Sequence, residues 1–300
     1  MFTHRSTLAH WFTSIVAALL ISVSARAEER VIYEKRSALQ NILVKEDRDG
    51  LRALYLDDGA ARQSVIKPGD PEHLESVYTQ AAPLVLAMVT QPKRMLIIGL
   101  GGGTIATYIH RKVPALKIDV AELDPEVLAV ARSHFGFKED AHLKVHVGDG
   151  RTLIERSNVR YDIVLLDAYG PDAVPDALST LEFIQAVKRV LTPGGVVVSN
   201  IWGPARNAKY AGMVRAYTQT FPSVATLELP NAVNLLVFAR ERGSLPERAA
   251  LEQRAARLTR DLKLRVDLAA LMQQRYRLID DREFSTTPAL RDPTGTPRRP

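Results

Sequence analysis

Apolar and polar positions alternate in two different ways along this chain. Between Val31 and about Gln91 the pattern is that of short strands, at residues 41–46, 51–56 and 60–66. Asp47-Arg48-Asp49-Gly50 and Asp57-Asp58-Gly59 supply the turns between them. Asp70 followed by Pro71 then marks a helix start, with the helix running to Met88. From Lys93 the pattern changes. Apolar runs at residues 95–98, 118–121, 143–147, 161–166 and 196–201 alternate with helical stretches over 104–112, 125–135, 151–157, 177–191 and 207–220. This alternation predicts an α/β architecture with a doubly wound, mostly parallel sheet. Residues 224–229 and 233–239, separated by Pro230-Asn231, add an antiparallel hairpin at the sheet edge and bring it to seven strands. Residues 245–276 are helix-prone, and the proline-rich residues 285–300 read as disordered. The expected division is a leader over 1–27, a small β-rich domain over 28–91, the α/β domain over 92–240, a helical segment over 241–284 and a tail over 285–300.

Four of the predicted strands end in chemistry-bearing residues. The first enters Gly99-Leu100-Gly101-Gly102-Gly103-Thr104; the next three end in Glu122-Leu123-Asp124, Gly148-Asp149-Gly150 and Asp167. Ligands of open α/β sheets bind outside the carboxyl ends of the strands, so the four should face one crevice. Gly99, Gly101 and Gly103 let the backbone turn tightly and approach a ligand, while the following helix offers free N–H donors. Glu122 follows at close to the ~20-residue spacing from the glycine turn at which an acid meets ribose hydroxyls. Asp149 can accept from an exocyclic amine of a base or can cap the next helix, and both roles stay open. Asp167 ends an apolar strand, where an unpaired charge is costly, so contact with a cation or a proton donor is expected. Glycine turn, ribose acid and base-contacting Asp, in this order, indicate an S-adenosylmethionine-methyltransferase-like Rossmann fold.

Composition narrows the reading further. The chain is 46% hydrophobic and 25% charged, as an ordinary globular protein is. Its net charge of +6 comes from scattered Lys and Arg without a basic, aromatic-interleaved cluster, so no nucleic-acid partner is expected. The absence of cysteine excludes disulfides, thiolate metal sites and cysteine nucleophiles. His110, His134, His142 and His146 read as surface or packing residues, and no metal site is expected. Arg5, the apolar run 11–23 and Ser24-Ala25-Arg26-Ala27 read as a secretory signal cleaved after Ala27. The apolar run is well short of the roughly 20 residues that span a bilayer. A periplasmic or secreted protein with no membrane span after signal removal is therefore expected, or a cytoplasmic one if the start site lies elsewhere.

From Ile32 to Trp202 the chain resembles the polyamine aminopropyltransferases, the spermidine synthase family. Leu54-Tyr55-Leu56-Asp57-Asp58-Gly59 with Gln63 is similar to the family's Leu-x-Leu-Asp-Gly…Gln segment. Gln40, Tyr78, Glu122-Leu123-Asp124, Gly148-Asp149-Gly150, Tyr161-Asp162 with Asp167, and Leu191-Thr192-Pro193-Gly194-Gly195 fall in order at matching places. The resemblance implies transfer of an aminopropyl group from decarboxylated S-adenosylmethionine to a putrescine-like amine. It implies a co-substrate of that kind, or S-adenosylmethionine itself, with no tightly bound cofactor, and a homodimer. Gln40, Gly99, Gly101, Gly103, Glu122, Asp149 and Gly150 would hold the donor. Tyr78, Tyr169 and Asp172 would line the acceptor site, and Asp167 would act on the amine. The chain departs from the family where an Asp of the glycine loop gives way to Gly102 or Thr104, and where Gly170 stands for the second acid of Asp-x-x-Asp. Thr79 and Gln80 replace His and Glu. A methyltransferase on the same scaffold and a non-catalytic exported nucleoside-binding protein are the alternative readings.

Overall fold

The computed structural model describes residues 29–57, 61–169, 174–272, 275–280 and 282–293. The expected signal segment and its cleavage site lie outside these residues. Among the described residues no helix is long and apolar enough to cross a membrane.

The chain opens with an antiparallel sheet in sequence order, β1 (Arg30–Arg36), β2 (Asn41–Glu46), β3 (Arg52–Leu56) and β4 (Arg62–Ile66). Ile42, Val44 and Leu54 form its buried face. The helix expected over 71–88 is shorter and broken. Ser76 caps α1 (Val77–Ala81), a 3-10 turn follows at Ala82–Leu84, and α2 covers Val85–Met88. Pro83 has no N–H to give to a continuous helical ladder. Asp70 instead closes a turn, its N–H donating to Lys67 O while its side chain accepts from Glu72 N and Arg265.

The remaining elements wind about one large sheet. They are β5 (Arg94–Ile98), α3 (Thr104–Lys112), β6 (Lys117–Glu122), α4 (Pro125–His134), β7 (Leu143–Val147), α5 (Gly150–Arg156), β8 (Tyr161–Leu166), α6 (Leu181–Arg189), β9 (Leu191–Trp202), α7 (Tyr210–Thr220), β10 (Ser223–Glu228), β11 (Asn234–Arg240), α8 (Arg248–Asp261), α9 (Leu268–Met272) and β12 (Tyr276–Leu278). The order across the sheet is β12-β10-β11-β9-β8-β5-β6-β7. β7, β6, β5, β8 and β9 are parallel, and β11, β10 and β12 antiparallel. The doubly wound, mostly parallel arrangement is as expected, but the sheet has eight strands where seven are predicted. The eighth arises because the helix-prone stretch over 245–276 breaks. Lys263 adopts a left-handed backbone after α8, Asp267 Oδ1 accepts from Ala269 N and Ala270 N to start α9, and the chain then pairs with β10.

Two further boundaries move. The helix expected from Ala177 begins only at Leu181, where Thr180 Oγ1 accepts from Phe183 N as a cap. Residues 285–292, expected to be disordered, pack on α6 and α7. Leu181 N donates to Leu290 O, Asp292 N donates to Glu182, and a Cβ on Gly212 would meet Leu290 at 3.1 Å. The tightest anchor is Arg151, only 4% exposed, which donates to both carboxylate oxygens of Asp292 at 2.8 and 2.7 Å. Removing one partner of a buried pair leaves the other charge uncompensated. Asp292→Ala should therefore lower unfolding free energy by about 3 kcal/mol, the low end for such pairs because Glu155 still holds Arg151 Nε. The midpoint of urea denaturation measures it.

The entry sheet lies against α4, with Val127, Val130 and Phe135 joining Ile42, Val44 and Leu54 in one cluster. Lys35 pairs with Glu126, and Arg52 donates to His134 O. This contact brings the loop before β2 and Ser64, in the middle of β4, to the mouth of the large sheet.

Candidate functional site

Side chains alternate across a strand, and in this sheet one parity carries both core and site. Ile97, Val120, Ile163, Leu165, Val198 and Leu236 share one buried cluster. Continuing each strand in steps of two gives Gly99, Glu122, Asp167, Asn200 and Trp202, with Asn234 at the start of β11. The crevice is thus the upper edge of one core face. It lies where the strand order reverses beside β5, as open α/β sheets dictate.

At that reversal β5 and β8 nearly touch. Asp167 N donates to Ile98 O, and a Cβ on Gly99, whose φ is 101°, would lie 2.3 Å from Asp167 O. No residue but glycine fits there. The loop then bends back under the entry sheet. Gly102 N donates to Ser64 Oγ at 2.9 Å, and a Cβ on Gly101 would strike that same oxygen at 2.6 Å. Gly103 opens α3 in the left-handed conformation, close against Phe137. Thr104 Oγ1, at the first position of α3, is buried without a hydrogen bond among the described residues.

Glu122 lies beneath this loop, 8% exposed. Its carboxylate accepts from Leu100 N at 3.0 Å and from Asp124 N at 2.9 Å. Burial raises its pKa, and the backbone N–H groups of Asp124 and Leu100 offset part of that rise. Asp124 caps α4 through Glu126 N while its other oxygen accepts from Ser37 Oγ and from Gln40 Nε2 at 3.2 Å. Gln40 therefore reaches the crevice through Asp124, beside Glu122.

Asp149 takes the capping role that the sequence leaves open. Its Oδ1 accepts from Thr152 N and Thr152 Oγ1 at the start of α5, and the residue is exposed. Gly150 is buried under Ile98, which a Cβ would meet at 2.6 Å. Leu123 and Val147 stand 55% and 50% exposed at the same strand ends, giving the crevice an apolar rim.

Across the crevice Asp167 is held by amides. Asn200 Nδ2 donates to its Oδ1 at 3.0 Å, and Asn234 Nδ2 donates to Asn200 Oδ1 at 2.8 Å. Burial pushes the Asp167 carboxyl up to about 6, against the opposing pull of Asn200 and of the nearby Tyr78 hydroxyl. Tyr78, from α1, and Tyr169 both carry buried hydroxyls without a well-formed hydrogen bond. Burial and the Asp167 charge keep both phenols protonated far above the ordinary range. The Tyr169 ring lies 5.9 Å from that of Trp202. A half-buried carboxylate with two protonated phenols nearby can orient an amine and accept its proton.

Gln40, Gly99, Gly101, Gly103 and Glu122 thus cluster on one side, and Tyr78, Asp167 and Tyr169 on the other. Asp149 and Gly150 sit at the far strand end. Asp172 lies outside the described residues. Ser64, Asn200, Trp202 and Asn234 are site residues that the sequence reading misses. Ser199-Asn200, a buried polar pair following the apolar run Val196-Val197-Val198 of β9, is the signal that could have revealed one of them.

The spermine/spermidine synthase domain matches residues 76–236 of this chain. A polyamine aminopropyltransferase of Vibrio vulnificus is 29% identical over 250 residues, 81% of this chain and 83% of its own length. A probable spermidine synthase from Corynebacterium glutamicum superposes with a TM-score of 0.70 at 20% identity, covering 89% of this chain and 99% of that one, a likeness of fold. Human methyltransferase-like protein 13, solved in complex with SAH, superposes with a TM-score of 0.58 at 27% identity, covering 63% and 93%.

Proposed function

As the chain belongs to the spermine/spermidine synthase family, a transferase family of polyamine biosynthesis, we propose that its crevice takes decarboxylated S-adenosylmethionine and passes the aminopropyl group to an amine at Asp167. The observation that carries this reading is Asp167 itself, a carboxylate with a raised pKa near two buried phenol hydroxyls and against the glycine turn at Gly99. Glu122 would accept from the ribose hydroxyls, exchanging its bond to Leu100 N. The loop N–H groups, the apolar rim and the α5 turn would receive the rest of the nucleoside.

The chemistry is one displacement. An alkylammonium has no lone pair to attack with until it loses a proton, and a carboxylate of raised basicity beside it can take that proton. The amine nitrogen then forms a bond to the carbon next to the sulfonium. The carbon–sulfur bond breaks, and its electron pair stays on sulfur in the neutral thioether that departs. Asn200 anchors Asp167 Oδ1 through this step, so alignment of the second oxygen is preset.

Calorimetry with decarboxylated S-adenosylmethionine, S-adenosylmethionine and methylthioadenosine, followed by product analysis with amines, tests the proposal. Preference for the decarboxylated donor with an aminopropylated product is expected, and methyl transfer overturns it. Glu122→Gln should weaken donor binding about 10- to 100-fold, because an amide offers one acceptor oxygen where the carboxylate offers two charged ones. Export after Ala27 belongs to the same proposal; the mature chain should then begin at Glu28 by N-terminal sequencing of a periplasmic fraction.

A further inference from the structure

We propose that Asn234 is a positioning residue for the proton transfer: its side-chain amide holds the Asn200 amide the one way round that leaves Asp167 Oδ2 free for the amine. This rests on the aminopropyl-transfer reading and deepens it.

An ionised carboxylate only accepts, whereas a side-chain amide has one end that donates and one that accepts. Asn200, 4% exposed, can therefore hold Asp167 in a single orientation, with Nδ2 on Oδ1 at 3.0 Å. That orientation turns Asn200 Oδ1 away from Asp167, and a buried carbonyl oxygen without a donor is costly. Asn234 Nδ2 supplies the donor at 2.8 Å. The register of β9 and β11 puts it there. Asn234 lies opposite Trp202 and Leu236 opposite Asn200, so the two asparagines are diagonal neighbours on one face of the sheet.

Two phenols make the direction matter. Tyr78 stands near both Asp167 and Asn200, and its hydroxyl is a competing donor for Asn200 Oδ1. Tyr169 stands near Asp167 and Asn234. Among the described residues these two are the titratable groups that face Asp167. With Asn234 in place, Asn200 stays on Oδ1. The proton then leaves the ammonium nitrogen for Oδ2, the nitrogen keeps the electron pair, and no other bond changes in that step. Without Asn234, Asn200 can turn to Tyr78, and Oδ1 loses its donor. Burial then raises the Asp167 carboxyl further, because Asn200 is the first of the two side chains that oppose it.

Two substitutions in the full chain test this, assayed with decarboxylated S-adenosylmethionine and putrescine. Asn234→Asp keeps the shape of the side chain but replaces the donor with an acceptor that draws Asn200 Nδ2 to itself. Asn234→Ala only removes the donor. The expected loss of kcat is about 100-fold for Asn234→Asp and about 10-fold for Asn234→Ala, with donor affinity by calorimetry within about twofold. A side chain that merely filled space would give the reverse order. In Asn234→Ala the rising limb of kcat/KM against pH should move from about 6 to about 7. Infrared titration of the Asp167 carboxyl, taken as the difference between Asn234→Ala with and without Asp167→Asn, reads the same shift without turnover. Asn234→Leu serves if the alanine variant does not fold. Asn234→Asp at least as active as Asn234→Ala, or a carboxyl that still titrates at about 6 in Asn234→Ala, overturns this inference and leaves the transfer reading intact. The shifted titration in a chain whose unaltered form gives no aminopropylated product overturns the transfer reading alone.

Discussion

Asp167→Asn should lower kcat by about 10²- to 10⁴-fold while leaving donor affinity nearly unchanged. The substitution is close to isosteric, and its amide oxygen can still accept from Asn200, so the geometry around β8 and β9 survives. What it removes is the ability to take a proton from the amine. The pH profile checks the same group independently. With a carboxyl at about 6 in the free protein, kcat/KM of the wild type should rise with pH and level off above that value. Stability runs the opposite way. A folded-state pKa above the ordinary 3.8 means the folded chain holds this proton longer than the unfolded chain does. The contribution of Asp167 is therefore fully present below 3.8 and is lost as pH rises through about 6. Asp167→Asn should flatten that part of the stability curve as it flattens the rate.

Gly99→Ala should be the most damaging small substitution in the α/β sheet. The added carbon meets the Asp167 carbonyl oxygen at 2.3 Å and its carbon at 2.9 Å, and both atoms belong to backbone that β5 and β8 hold in register. A φ of 101° adds strain of its own. Overpacking and disallowed backbone together make a loss of about 4 kcal/mol the expected result, read from denaturation midpoints, with donor binding abolished. Gly69→Ala is the control. It has a comparable φ of 86° but nothing within 4 Å of the added carbon, so it should lose only about 1 kcal/mol.

The four strand ends were legible in the sequence because each breaks an apolar run with a residue that the run does not explain. Glu122, Asp149 and Asp167 could be read from local context alone. Asn234 and Trp202 could not, since nothing local marks them. Their place depends on the β9–β11 register, which sets Asn234 opposite Trp202 and Leu236 opposite Asn200. Ser64 lies in a strand of the entry sheet, and only the packing of that sheet on α4 brings it under Gly102. The broken helices escaped for a related reason. Pro83 and the left-handed Lys263 matter through the turns they favour, and a helix-prone composition outweighs single residues in a periodicity reading.

The anchor between Arg151 and Asp292 joins positions 141 residues apart, and β12 pairs with β10 just before the chain reaches Asp292. Contacts of such long sequence separation form late, after the loop-closure entropy of the intervening chain has been overcome. Until then the β10 edge has open backbone groups and the Arg151 guanidinium lacks its bidentate partner. Completion of this fold is therefore gated from its C-terminal side. Chains shortened by even the last few described residues should accumulate as protease-sensitive, association-prone intermediates, although every residue of the crevice has already been made.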